Sequence, residues 1–114
     1  MKVQAAETVE AKPVRIDGAA EVTMRLLIGP AQDAPTFNMR LFEIAPGGHT
    51  PCHSHDWEHE VYVLGGAGEV RGPDGQVPLA AGDCVLIPPN EEHQFINTGE
   101  KTLKFLCLIP RDSG

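Results

Sequence analysis

Residues 47–66, GGHTPCHSHDWEHEVYVLGG, decide the fold and contain four of the five histidines of the chain. On an extended strand, side chains at i, i+2 and i+4 project from one face, so His53 and His55 should point the same way, and His59 has the same parity. His93 follows much later, in GDCVLIPPNEEHQFIN. Imidazole is a common ligand of first-row metals. The pattern therefore predicts a metal site built from His53, His55, His59 and His93.

The composition of the 114 residues indicates one β-rich domain. The 12 glycines and 10 prolines are spread between apolar runs, which is typical of turns separating strands. Three cysteines without a CxxC pair argue against a disulfide framework and against a thiolate zinc site. We expect residues 1–20 to form an N-terminal arm or strand and residues 21–114 to form the single domain.

Apolar, β-branched segments recur about every eight to twelve residues with turn signals between them, as in a sandwich or barrel. Pro73-Asp74-Gly75 predicts a hairpin turn. CVLIP, at 84–88, is expected to be a buried strand in which Cys84 is a small core residue. Further strands are predicted at 21–30, 36–45, 60–64, around 69–71, at 93–97 and at 103–110.

The charge balance bears on partners and location. With 9 basic and 16 acidic residues the formal charge is −7, and no basic stripe is present. We therefore expect neither nucleic acid nor membrane as a partner. The N-terminal residues contain no apolar signal segment, and free thiols favour a reducing compartment, so a cytoplasmic location is expected.

Two motifs in this chain resemble those of the cupins. The first cupin motif, G-x5-H-x-H-x3,4-E-x6-G, is matched in spacing by Gly47, His53, His55, His59 and Gly66. The second, G-x5-P-x-G-x2-H-x3-N, is matched by Gly82, Pro88, Asn90, His93 and Asn97. Asn90 stands where glycine is usual, and asparagine tolerates positive φ better than most residues. The resemblance implies an all-β fold, the jelly-roll barrel or double-stranded β-helix.

One position departs from the cupin motif. His59 occupies the place of the usual ligand glutamate, and Glu60 lies one residue out of register. The motif count and the strand parity both select His59, with Glu60 as the alternative ligand. Over residues 25–110 the chain is similar to small single-domain four-histidine manganese cupins. That resemblance implies one divalent transition metal per chain, manganese first and iron next, with copper, nickel and zinc left open, and a homodimer.

Several other residues are candidates for the pocket around the metal. Arg40 could pair with an anionic substrate or lie at a surface or interface. Phe105 and Cys107 share one face of the last strand, so they either wall the pocket or pack in the core. His49 is expected at a loop or pocket rim, and Trp57 either shields the site or packs in a dimer contact.

Three functions are compatible with this site. The first is an oxidoreductase that uses dioxygen or peroxide on a small organic substrate, as a dioxygenase or in oxidative C=C cleavage, with the metal centre itself as the catalytic group. The second is a metal-dependent isomerase or lyase, for which His49 is the one spare histidine. The third is a non-catalytic cupin that binds a metal or small ligand. In the expected homodimer, a strand around 21–28 would complete the sheet edge of a partner.

Overall fold

The computed structural model describes residues 1–113 and is almost entirely β, which confirms the predicted fold class. Gly114, the last residue of the predicted domain, lies outside the described residues. Two 3₁₀ turns span Ala6–Thr8 and Pro30–Gln32. The described strands are β1 Lys12–Pro13, β2 Ala20–Ile28, β3 Phe37–His49, β4 His59–Gly65, β5 Ala67–Gly72, β6 Gly75–Ala80, β7 Cys84–Ile87, β8 Gln94–Ile96 and β9 Leu103–Pro110.

The strands form one antiparallel sheet that curls into a half-barrel. Its main path runs β6-β5-β8-β3-β9-β4-β7, with β2 paired to β3 and β1 paired to β2. The 13-residue β3 is central because it pairs with β2, β9 and, at His49, β8. Strands distant in sequence are thus brought around one concave face. In the part of the chain that the structure describes, no helix is long and apolar enough to cross a membrane.

The concave face holds the core because apolar residues alternate along the strands. In β4, Val61 and Val63 are buried while the intervening Tyr62 is exposed, as strand periodicity requires. Phe105 of β9 lies at the centre of this core, with ring centroids 4.7 Å from Phe95 and 5.4 Å from Phe42. Three stacked phenylalanines therefore form the floor beneath the predicted metal site.

The asparagines of the second motif have clear structural roles. Asn90 has a φ of 69°, which is the left-handed conformation expected where cupins usually have glycine. Asn97 is 2% exposed, and its Nδ2 donates hydrogen bonds to the carbonyls of Ile44 and Lys101, both at 2.8 Å. Its Oδ1 accepts from the Gly99 amide at 2.9 Å. Asn97 thus joins β3 to the loop before β9.

Three local predictions were wrong or incomplete. Cys84 is exposed, not a core residue, because it lies on the outer face of the sheet beside the exposed Tyr62 of β4; in its CVLI run only Ile87 is fully buried. The 50–58 segment is not a regular strand and contains only a bridge between His53 and His93. The prediction missed β6, which contains Pro78, a residue that strands accept mainly at edges. The hairpin turn that precedes β6 is confirmed.

Candidate metal centre and pocket

Four histidines reach the concave face from three parts of the chain. His59 is the first residue of β4, and His93 immediately precedes β8. His53 and His93 exchange backbone hydrogen bonds of 3.1 and 2.9 Å, which fixes these two residues side by side. The His55 carbonyl accepts a hydrogen bond from the Asn90 amide, which holds the loop carrying His55 against the loop before His93.

The imidazole rings converge on one point. Candidate ligand atoms of His53, His55 and His93 all lie within 4.8 Å of one another. The His59 ring centroid is 4.7 Å from that of His93 and 5.2 Å from that of His55. The structure therefore brings the four predicted ligands together, three as a compact group and His59 beside it. Glu60 is exposed on the opposite face of β4, as its parity predicts.

The donor atoms suit a metal ion. Within the described residues, His59 Nε2 is buried and has no hydrogen-bond partner, a condition that costs about 1–3 kcal/mol unless a ligand satisfies it. His93 Nδ1 lies 3.0 Å from the Glu91 carbonyl, which can only accept a hydrogen bond, so Nδ1 carries the proton and the lone pair is on Nε2. This arrangement of a carbonyl behind an imidazole is usual at metal sites.

Burial keeps these imidazoles neutral. Loss of water, followed by the neighbouring His55 and His93, lowers the pKa of His53 to about 4. Burial likewise lowers the pKa of His59 to about 3, with smaller effects from His93 and the Arg40 guanidinium. Burial also lowers the pKa of His55. At neutral pH these rings therefore offer lone pairs without first losing a proton.

Proton release on metal binding should reflect these lowered pKa values. At pH 5.5 an ordinary histidine is about nine-tenths protonated, so four such ligands would release nearly four protons. Because folding has already removed the protons from His53 and His59, and burial also lowers the pKa of His55, we expect fewer than about two to be released. Calorimetry of Mn²⁺ binding at pH 5.5, in buffers of different ionisation enthalpy, measures this number. Release of three or more would contradict the prediction.

A cavity of about 460 Å³ opens above the histidines. Its wall is mainly apolar, and all three predicted pocket residues, Arg40, Phe105 and Cys107, line it. Arg40 Nη2 donates to Cys107 Sγ at 3.1 Å and lies 3.5 Å from His59 Nδ1, while its guanidinium stands 4.9 Å from the Phe42 ring centroid. No Asp or Glu among the described residues lines this cavity.

Two aromatic residues near the cluster differ in their roles. Trp57 stacks on His55 with ring centroids 4.3 Å apart and an interplanar angle of 2°, so it covers one side of the candidate ligand. His49 lies at the end of β3, where Nδ1 is 3.3 Å from the Thr50 carbonyl, and it does not line the cavity. Trp57 is therefore in contact with the histidine cluster, and His49 remains outside it.

Sequence reasoning missed one wall of the cavity, the segment of residues 12–16, KPVRI. The N-terminal arm folds back as β1, and all five residues of this segment line the cavity. Its alternation of Val14 and Ile16 with charged residues is the one sequence signal that could have indicated this. A pattern of five residues is too short to predict which strand this segment pairs with.

Residues 40–109 match the cupin domain family, and the chain belongs to that family. Its fold superposes on the polyketide cyclase RemF from Streptomyces resistomycificus with a TM-score of 0.93 and 37% identity, covering 99% of this chain and 81% of that one.

Curated relatives have varied activities. The chain is 34% identical to an oxalate-binding protein of Thermotoga maritima, covering 88% of each. It is 35% identical over 74 residues to 1-methylthio-D-xylulose 5-phosphate methylsulfurylase of Rhodospirillum rubrum, which covers 65% of this chain and 47% of that protein. The chain thus spans about half the length of the latter relative.

Proposed function

We propose that this cupin is a metal-dependent enzyme that closes a ring in an apolar polycarbonyl substrate of the polyketide type. The observation that carries this proposal is the cavity, whose mainly apolar wall includes Phe42, Phe95 and Phe105 and which opens directly on the histidine cluster. The enol forms of 1,3-dicarbonyl units are flat and conjugated, and flat π systems pack well against aromatic rings. The likeness to RemF over nearly the whole chain supports the same substrate class.

The size and lining of the cavity favour this substrate over those of the other relatives. Oxalate is a small dianion and would leave most of a 460 Å³ apolar cavity unfilled. A sugar phosphate would place many hydroxyl groups against phenylalanine and aliphatic side chains, where they would lose hydrogen bonds to water. A folded chain of alternating carbonyl and methylene groups would fill the space and present its oxygens to the histidine cluster.

The proposed reaction is an internal aldol-type condensation, which needs no oxidant. A methylene between two carbonyls loses a proton to water, its carbon bonds to a distant ketone carbon, and the C=O electron pair passes to oxygen, which takes up a proton from water. Water is then eliminated. A bound divalent metal would act as a Lewis acid that polarises carbonyl oxygen. Arg40 would donate a hydrogen bond to the developing oxyanion, and the phenylalanines would exclude water and hold the chain folded.

The proposed metal is manganese, with iron as the second choice, as the resemblance to four-histidine manganese cupins implies. His53, His55, His59 and His93 would hold it. Four neutral imidazoles leave the full double charge on a divalent ion, whereas a carboxylate ligand would cancel part of it. The same donor set also accepts zinc, copper and nickel, which allows the metal to be exchanged in an experiment.

Metal exchange tests the reaction class. Protein stripped and reloaded with Mn²⁺ or with redox-inactive Zn²⁺ would be incubated, under argon and under air, with a synthetic linear tetraketide thioester. We expect both metals to support a cyclised, dehydrated product under argon, detected by mass spectrometry, and the metal-free protein to give little. Turnover that requires both manganese and air would contradict the cyclase and establish the oxidoreductase.

The oxidoreductase remains the second candidate because the described cavity wall offers no carboxylate to act as a general base. A reaction driven by dioxygen or peroxide at the metal would need no such base for its first step. Dioxygen uptake by the manganese-loaded protein, followed with an oxygen electrode in the presence of the thioester or a flavonol, distinguishes it. In the cyclase, oxygen consumption should equal that of the metal-free control.

We further propose that the chain forms a homodimer through the exposed apolar side chains of β2. On the side opposite β3, β1 pairs with Thr23 and Met24 and Gln4 Nε2 donates to the Leu27 carbonyl at 2.7 Å, but the Leu26 and Ile28 side chains remain exposed. An exposed apolar surface can pack against the same surface of a second copy. Light scattering should give twice 12.3 kDa for the wild type and for Val77→Lys, and a monomer for Leu26→Lys. A monomeric wild type would contradict this.

A further inference from the structure

We propose that residues 12–16, named here the strap, form part of the substrate site, where Lys12 and Arg15 bind a carboxylate of the substrate while Arg40 lies deeper, beside the histidine cluster. The inference deepens the proposed function and rests on it in one respect, that the cavity above the histidines is where substrate binds. It defines the substrate more closely, as a polycarbonyl molecule that carries an acid group.

The strap is held as a wall of the cavity by backbone pairing and packing. Lys12 and Pro13 pair with Met24 and Thr23 of β2, and the Val14 amide donates to the Val22 carbonyl at 2.9 Å. Val14 itself packs against the hydrophobic core. Lys12 and Arg15 are exposed and line the cavity. Because the backbone and Val14 are fixed, these two residues are held at the cavity wall.

The chain before the strap is anchored by Arg25. Its Nη1 donates to the carbonyls of Ala6, Glu7 and Val9, the last at 2.7 Å, and its Nε lies 3.5 Å from a Glu43 carboxylate oxygen. Several hydrogen bonds from one guanidinium thus tie the N-terminal segment to β2 and β3. Arg25 therefore holds the chain on the N-terminal side of the strap, and the hydrogen bond from Val14 to Val22 holds the strap itself. Lys12 and Arg15 consequently lie at a defined place.

The charges lining this cavity are all positive, although the chain carries a net charge of −7. Over residues 1–113, Lys12, Arg15 and Arg40 form no ion pair, whereas Lys2, Arg25 and Arg71 pair with Asp33, Glu43 and Glu69. Unpaired cations grouped around one cavity in an acidic protein produce a local positive potential that attracts an anion.

Arg40 and the strap would act at different depths. Arg40 is half-buried beside His59 and Cys107, and its Nε is buried without an acceptor among the described residues. Lys12 and Arg15 are exposed. An elongated acid could therefore place its reacting carbonyls near the metal ligands and its carboxylate toward the strap, where a guanidinium can bind it through two hydrogen bonds.

Binding of matched ligands tests this without any turnover. The probes are 2-naphthoate and its neutral near-isostere 2-naphthamide, titrated by calorimetry into metal-free and zinc-loaded protein. We expect the wild type to prefer the carboxylate by about tenfold, which corresponds to two partly exposed charge interactions. The Lys12→Met/Arg15→Met variant should lose most of that preference while keeping its affinity for 2-naphthamide. Lys101→Met/Lys104→Met, which removes two exposed lysines outside the cavity, should behave as the wild type.

Three results would overturn the inference. They are equal binding of the two naphthalenes by the wild type, an unchanged carboxylate preference in the strap variant, and an equal loss of affinity for both ligands in that variant. Stronger binding of 2-naphthyl phosphate than of 2-naphthoate would replace the carboxylate with a phosphate and would also overturn it. If the carboxylate preference follows the strap but no cyclised product forms, the proposed reaction fails and the binding site stands.

Discussion

Replacing His59 with alanine is expected to weaken metal binding by about 100-fold or more, while Glu60→Ala leaves it unchanged. His59 is 6% exposed, its Nε2 has no partner in the described chain, and its ring lies 4.7 Å from that of His93. Glu60 is adjacent in sequence, but its side chain is on the outer face of β4. The two substitutions therefore compare the four-histidine site directly with a site that uses the usual cupin glutamate.

The measurement is metal content by plasma mass spectrometry, together with calorimetric titration of the stripped proteins with Mn²⁺. The wild type and Glu60→Ala should hold about one metal per chain, as one four-histidine site requires. Circular dichroism and thermal unfolding of the stripped variants check that both remain folded. If His59→Ala retains full metal affinity and Glu60→Ala loses it, the ligand set contains Glu60 and the assignment of His59 is wrong.

Gly66→Ala is expected to destabilise the protein by roughly 3–4 kcal/mol, from backbone strain and a steric clash together. Gly66 has a φ of +81°, which side chains other than glycine rarely adopt. A Cβ at this position would lie 2.3 Å from the Thr102 carbonyl oxygen and 2.9 Å from Leu103 Cα. Both atoms belong to backbone, which cannot rotate away as a flexible side chain could.

Gly65→Ala is the matched control for this substitution. Gly65 precedes Gly66 directly, its φ is not positive, and a Cβ there would meet nothing within 4 Å. We expect a change of less than about 1 kcal/mol for Gly65→Ala, since surface substitutions usually have small effects. Urea unfolding followed by circular dichroism measures both values. Equal stability of the two variants would mean that the turn between β4 and β5 can rearrange without cost.

Motif spacing selected four histidines that the structure brings together, but strand parity explains the position of only one of the three in the first motif. Strand parity explains why His59 points inward from β4 and Glu60 outward. It does not explain His53 and His55, because residues 50–58 are not a regular strand. Their position comes from the backbone bridge between His53 and His93, a contact across 40 residues of sequence that periodicity cannot show.

Burial was predicted less well on the outer face of the sheet. The apolar run that contains Cys84 reads as a buried strand, since composition does not show whether one face of a strand or both are covered. In the structure Cys84 and Leu86 of β7 are exposed beside Tyr62 and Glu60 of β4, a strand that has a neighbour on each side. Exposure of Cys84 and Leu86 is thus a property of the sheet face on which they lie, which is decided by tertiary packing.

The sequence by itself determined the all-β fold, the inward side of β4 and the positive φ at Asn90. These follow from local rules of side-chain alternation and backbone sterics, which act between near neighbours. Only the tertiary structure decided that the strap forms a cavity wall and that Arg40 lies against Cys107 and His59. The physical reason is that the sheet joins segments separated by tens of residues, and that pairing sets which side chains share the cavity.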